Sequence, residues 1–207
     1  DEVTEAFFSG SAEIVGGPMG EAMRRIVANP DDAEAAEILS AEAGYNSRLR
    51  TTCVATLLEG GHASNALPQL AEANVNCRIF PTHDPRDVHE TLQALAAPFD
   101  VEVEPAGTAT PSPPSPLTAE VLEPIERITE QMWPGVRVLP VMSTGATDGL
   151  YLRNAGIPVY GVSGIFGDVD DVRAHGQDER ILIRHFYEGQ EFLYRLVKAL
   201  SGGGVAQ

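Results

Sequence analysis

The sequence predicts a mixed α/β fold built from two unlike halves, and three observations predict it. First, residues 70–80 alternate with period two. Ala71, Ala73, Val75, Cys77 and Ile79 face one way, and Glu72, Asn74, Asn76 and Arg78 the other. Second, this strand sits in a strand-strand-helix-strand series spanning residues 49–105. Third, the pattern changes after residues 105–116, which hold five of the fifteen prolines. Beyond them strands and helices alternate, as in a layered α/β piece.

Residues 1–46 read as helical and acidic, broken at Gly16-Gly17-Pro18. After Pro30, the run DDAEAAEILSAEAG has an Asp start, Ala-rich helix formers and a Gly stop. Its core-facing residues are few, mainly Ile38 and Leu39, so this segment is expected to pack on something outside itself. Residues 49–59 (LRTTCVATLLE) form the first strand, joined to the second by GGHASNALP in a hairpin with a long irregular loop. Residues 85–97 form a short helix with Pro85 in its first turn and Val88, Leu92 and Leu95 on one face. DVEVEP at 100–105 is a short strand.

The proline-rich stretch is a linker or an extended crossing segment. In the helix after it, Leu117, Val121, Ile125, Ile128 and Met132 fall in phase, and Pro124 argues against a straight course unless it lies in the first turn. VRVLPVM is a strand, TDGLYLRNAG a short helix, and IPVYGVSG another strand. The final helix runs from Arg184 to Leu200 with Phe186, Phe192, Leu193, Leu196, Val197 and Leu200 apolar. SGGGVAQ reads as a frayed tail. Two strands are too few for a complete α/β domain.

Composition narrows the function. Thirty acids against fourteen bases give a net charge of -16, which repels phosphate backbones and anionic membranes alike. Neither nucleic acid nor membrane is expected as a partner. No apolar run approaches the roughly 18 residues of a membrane span, and DEVTEAFFSG lacks the features of a signal peptide. The cysteines, Cys53 and Cys77, are too few for a disulfide scaffold and form no CxxC pair. They are expected to be buried thiols. A hairpin symmetric about Asn65 would set them opposite each other, with a disulfide as the lesser alternative.

Several polar groups are candidates for chemistry. GDVDDVRAHGQDER (167–180) gathers Asp168, Asp170, Asp171, Asp178 and Glu179 around His175. It is a solvated acidic loop or the seat of a zinc-binding imidazole. A calcium loop fits less well, because the spacing misses the EF-hand pattern. STGATDG (143–149) follows a strand and opens a helix. It is a small-residue turn with Thr147 as N-cap, or a cradle of N–H groups for a carboxylate or oxyanion. GVSGI around Ser163 lacks the last Gly of a nucleophile elbow. His83, Asp84, Asp87 and His89 crowd a helix start, where acids belong and the histidines are expected to be exposed. His62 lies in the hairpin loop. On the polar strand face Arg78 could clamp a carboxylate or make a surface ion pair.

Three blocks together resemble the M20 family of zinc metallopeptidases and amidohydrolases. Residues 48–81 resemble its lid-domain core: G-G-x-x-x-N-x-x-P is met by Gly60, Gly61, Asn65 and Pro68, then a strand ends in Arg78 with Pro81 soon after. STGATDGLYLRNAGIPVYGVSG resembles the family's Gly-x-Thr-Asp loop, helix and strand. RAHGQDERI resembles the segment with its last metal-binding His. The RTT and VNCRIFP variants look most like the N-acyl-amino-acid hydrolases and related carboxypeptidases.

The resemblance implies a partial ferredoxin-like α+β lid plus the C-terminal part of an α/β zinc-peptidase catalytic domain. The implied division is a lid or dimerisation part at 1–110, with a helical N-terminal segment, and a catalytic part at 111–207. The family implies two zinc ions bridged by a carboxylate and a water, with a Glu as general base. It also implies a homodimer and a peptide or N-acyl amino acid cleaved beside a free carboxylate. By resemblance, His175 is a zinc ligand, Asn65 and Arg78 face substrate, and Gly145, Ala146 and Thr147 receive its carboxylate end. The family's His-x-Asp motif, bridging Asp and Glu-Glu pair lie N-terminal to the lid, and neither His-x-Asp nor Glu-Glu occurs in these 207 residues. The chain is therefore expected to be a C-terminal portion, inactive alone and weak in zinc, with an apolar face left exposed. The alternative is a non-catalytic dimerisation or binding module lacking the metal-binding half.

Overall fold

A computed structural model describes residues 1–168 and 171–202. Asp170 and the end of the tail lie outside the described residues. The chain forms two compact units. The first is Asp1–Ser115 with Pro140–Pro158, and the second Pro116–Leu139 with the described residues from Val159 on.

The first unit opens with four helices, α1 (Glu2–Val15), α2 (Gly17–Ala28), α3 (Ala33–Ser40) and α4 (Ala43–Leu49). Asp1 and Asp32 cap α1 and α3 by accepting the N–H groups of Thr4 and Ala35. As expected from its few apolar residues, the segment after Pro30 packs on something outside itself: α3 lies on α2, within this chain. Phe8, Met23 and Leu39 are fully buried, with Ala12, Ala22 and Ala35 filling the gaps between helices. Alanines read as helix formers in sequence but serve here as contact surface. At Gly20, an added Cβ would stand 2.6 Å from the Ala12 carbonyl oxygen, so α1 and α2 cross where only glycine fits. The expected single helix after Pro30 is two. The Ala41 and Glu42 N–H groups bond back to Ile38 and Leu39, tightening the turn. Gly44 lies inside α4 and stops nothing.

Strands β1 (Thr52–Gly60) and β2 (Ala71–Arg78) then pair antiparallel. Cys53 stands opposite Cys77 and the two are disulfide-bonded, which corrects the expectation of free buried thiols. The paired position brings the Cα atoms to 4.1 Å, within reach of a bridge once the hairpin register is set. A bulge at Thr56 shifts the register, so that Ala55 pairs with Val75 but Leu57 with Asn74. The Thr56 hydroxyl donates to the Asn74 carbonyl (3.2 Å) and accepts from its side-chain amide (2.8 Å). Past the bulge, Leu58 joins the apolar face of β2 opposite Ala73. That face is uncovered: Leu58 is 78% exposed and Val75 44%.

Helix α5 (Pro85–Ala96) follows, capped by Asp84 and closed by a 3-10 turn at Ala97–Phe99. Of its apolar stripe, Val88 and Leu92 are half-buried and Leu95 is exposed. Residues 100–105 form no ladder, because the Val103 carbonyl is taken by His89 (3.1 Å) and Gln93 (3.4 Å) of α5. His89 is thus half-buried and bonded rather than exposed. The proline-rich stretch is held, not free. Ser112 accepts from Arg153 of α7 (Gly149–Asn154), and the Pro111 carbonyl accepts from Asn154.

In the second unit, α6 (Ala119–Met132) packs on α8 (Ile183–Leu200). Ile125, Ile128, Phe192 and Leu196 are buried between them, edged by Trp133 and Val162. Pro124 lies inside α6, past its first turn. The carbonyl it cannot serve is that of Glu120, in an exposed turn. At Gly189, an added Cβ would meet Ile165 at 2.4 Å, so the segment around Ile165 lies directly on α8. Segments 136–142 and 157–164, expected as strands, form no ladder. Among the described residues β1 and β2 make the only sheet, so neither segment has a strand to pair with. Among the same residues, no helix is long and apolar enough to cross a membrane.

Candidate functional site

The first unit carries a cleft of about 380 Å³ whose lining joins the end of β2 to the Ser143–Thr147 loop. Arg78 reaches it because β2 ends there, with Thr52 opposite and Pro81 terminating the strand run. Phe80, almost fully buried, forms part of its wall. The loop is shaped by its own small side chains. The Gly145 N–H donates to Ser143 Oγ at 3.3 Å, and the Gly149 N–H donates to Thr147 Oγ1 at 3.3 Å. The residue before the helix is Asp148, so Thr147 bonds the first turn from one position earlier than an N-cap. Gly145, Ala146 and Thr147 all line the cleft with Arg78.

The electrostatics are one-sided. In a chain of net charge -16, no Asp or Glu lines this cleft among the described residues, whereas Arg78, Arg153 and His83 do. The nearby Asp84 is engaged elsewhere. Its carboxylate binds the Arg86 side chain and N–H, which together hold its pKa down to about 2. Arg78 makes no ion pair among the described residues. Such a cleft favours a small anion.

The structure does not bring every expected residue here. Asn65 is exposed at the tip of the β1–β2 loop and does not line the cleft. His62 lines a smaller groove of about 260 Å³ with Glu59 and Glu72. His175 belongs to the second unit, in an exposed turn at φ 65°. Around it, Arg173 binds both Asp171 and Asp178, and Arg180 binds Asp171 at 2.5 Å. Hydrogen bonds from Arg173, then Arg180, hold the Asp171 carboxyl below its ordinary pKa. Carboxylates already held by arginines offer little to calcium. Sequence reasoning missed Arg153 and Ser112. The available signal was spacing, since Leu150 and Arg153 stand three apart on the helix opening from the Thr147 loop and both line the cleft.

Comparison with known proteins gives this geometry a context. The profile described as Peptidase family M20/M25/M40 matches residues 2–199, and the chain belongs to that family. It is 27% identical over 157 residues to the human N-fatty-acyl-amino acid synthase/hydrolase PM20D1, covering 74% of this chain and 31% of that protein. It is 24% identical to the probable carboxypeptidase S-like 2 of Dictyostelium discoideum over 163 residues, 78% of this chain and 31% of that one. Human aminoacylase-1 is 31% identical over 154 residues, covering 70% and 36%. The chain thus spans about a third of the length of these relatives. The fold resembles that of the M20 family metallo-carboxypeptidase Sso-CP2 of Sulfolobus solfataricus, with a TM-score of 0.61 at 18% identity, over 97% of this chain and 45% of that one.

The family raises the question of a metal. Among the described residues, no group of three or more His, Cys, Asp or Glu side chains could hold one. His175 has a ring in solvent and arginine-bound neighbours. By themselves these residues do not fit a metal centre.

Proposed function

We propose that these residues are the C-terminal portion of a zinc-dependent M20-type hydrolase that cleaves an amide bond beside a free carboxylate, in a peptide or an N-acyl amino acid. What carries the reading is the acid-free cleft in which Arg78 meets the Gly145–Thr147 loop. A guanidinium and a set of loop N–H groups suit a carboxylate. Human relatives named as an N-fatty-acyl-amino acid hydrolase and an aminoacylase support an N-acyl amino acid as ligand.

In this reading Arg78, Gly145, Ala146 and Thr147 orient the substrate carboxylate, and Asn65, outside the cleft on the lid loop, meets another part of the substrate. His175 supplies one ligand of a zinc site that these residues do not complete, so the chain alone binds zinc weakly and is inactive. Residues 1–110 belong to a partial ferredoxin-like lid with its helical lead, and 111–207 to the catalytic domain, although Pro140–Pro158 packs in the first compact unit. A homodimer through the β1–β2 ribbon is supported by its uncovered apolar face and by strand edges without partners among the described residues.

The test is to add an N-terminal M20 half to this chain and follow hydrolysis of N-acetyl-L-leucine. Zinc-dependent turnover of the mixture and none by the chain alone is expected, and Arg78→Gln is expected to raise KM about tenfold. Turnover by the chain alone, or turnover of the mixture indifferent to Arg78, would contradict the reading.

A further inference from the structure

The cleft holds more positive charge than one carboxylate needs. Arg153 projects from α7 into the same lining as Arg78, half-buried, and its Nε and Nη2 donate to a single neutral acceptor, Ser112 Oγ, at 3.1 and 2.9 Å. A guanidinium carries five N–H donors in a rigid fork, so most of this one is left without a protein acceptor. Among the described residues Arg153 makes no ion pair, and no acid shares the lining. Elsewhere Arg24, Arg25, Arg86, Arg173, Arg180, Arg184 and Arg195 each bind a carboxylate, while Arg48, Arg50 and Arg127 have no ion pair among the described residues either; what sets Arg78 and Arg153 apart is that they share one acid-free lining. With thirty acids available, two guanidiniums in one cleft without a carboxylate partner mark a place for anions.

Accordingly we infer that the cleft binds a ligand with two anionic groups, one carboxylate at Arg78 and a second at Arg153, so that the preferred substrate class is the N-acyl derivative of an acidic amino acid. This rests on the carboxylate reading above and adds to it a specificity determinant, Arg153. Ser112 holds the guanidinium in place through two N–H groups while leaving the others to the ligand. The volume, about 380 Å³, suits a compact amino-acid derivative.

The test measures binding of N-acetyl-L-glutamate and N-acetyl-L-leucine to the purified chain by titration calorimetry at low salt. The glutamate derivative is expected to bind about tenfold more tightly. Arg153→Gln should remove that preference, weakening N-acetyl-L-glutamate about tenfold more than N-acetyl-L-leucine. Arg153→Lys should restore part of it, and Ser112→Ala, which keeps the guanidinium, should retain it. Arg78→Gln should weaken both ligands. Equal affinity for the two ligands, or a preference that survives Arg153→Gln, overturns the second anion site. If N-acetyl-L-leucine still binds in an Arg78-dependent way, the single-carboxylate reading stands without it. Binding of neither ligand overturns both.

Discussion

Arg78 and Arg153 show what is legible at the scale of one residue. Arg78 stood out in sequence because it interrupts a polar strand face of Asn and Glu. Arg153 did not, because a lone Arg in a short helix looks like any surface charge. Its significance comes from the Ser112 contact forty-one residues away. Asp84 was legible as a helix-start acid, but its tight pairing to Arg86 was not. Its carboxyl carbon, followed by NMR, should titrate near pH 2 rather than at the ordinary 3.8. A depressed carboxyl favours the folded state above pH 3.8, and that contribution fades as pH falls toward 2. Arg86→Gln should return the midpoint toward 3.8. A wild-type midpoint already at 3.8 would mean that the pair is screened away in solution.

At the scale of the element, period-two and helical patterns located β1, β2, α5, α6 and α8 to within a few residues. They failed where an element's identity depends on a neighbour. Residues 100–105, 136–142 and 157–164 have strand composition but no strand to pair with among the described residues. The Thr56 bulge was equally hidden, since its lock is a cross-strand bond to Asn74. The Cys53–Cys77 bridge depends on register in the same way. The unfolded, unreduced protein should therefore show no reactive thiol, and two after reduction. Cutting a loop with a sequence separation of 24 should cost roughly 3 kcal/mol. Two thiols titrating without reductant would contradict the bridge.

For the whole molecule, the sequence blocks pointed to the family that the profile match supports over residues 2–199. Packing was less legible. The N-terminal helices, poor in large apolar residues, make their own core from alanines around Phe8, Met23 and Leu39. By contrast α8 buries Phe192 and Leu196 but leaves Phe186, Tyr187 and Val197 exposed. Periodicity marks an apolar face without saying whether anything covers it. The cleft lies at this scale too, for its lining comes from β2, the proline-rich stretch and α7, segments some seventy residues apart in sequence. The central claim is that this cleft recognises a free carboxylate. The most direct measurement compares binding of N-acetyl-L-leucine with that of N-acetyl-L-leucinamide, its uncharged amide, to the purified chain and to Arg78→Gln. The account predicts that the acid binds at least about tenfold more tightly than the amide and that Arg78→Gln abolishes the difference. Equal binding of acid and amide would contradict it.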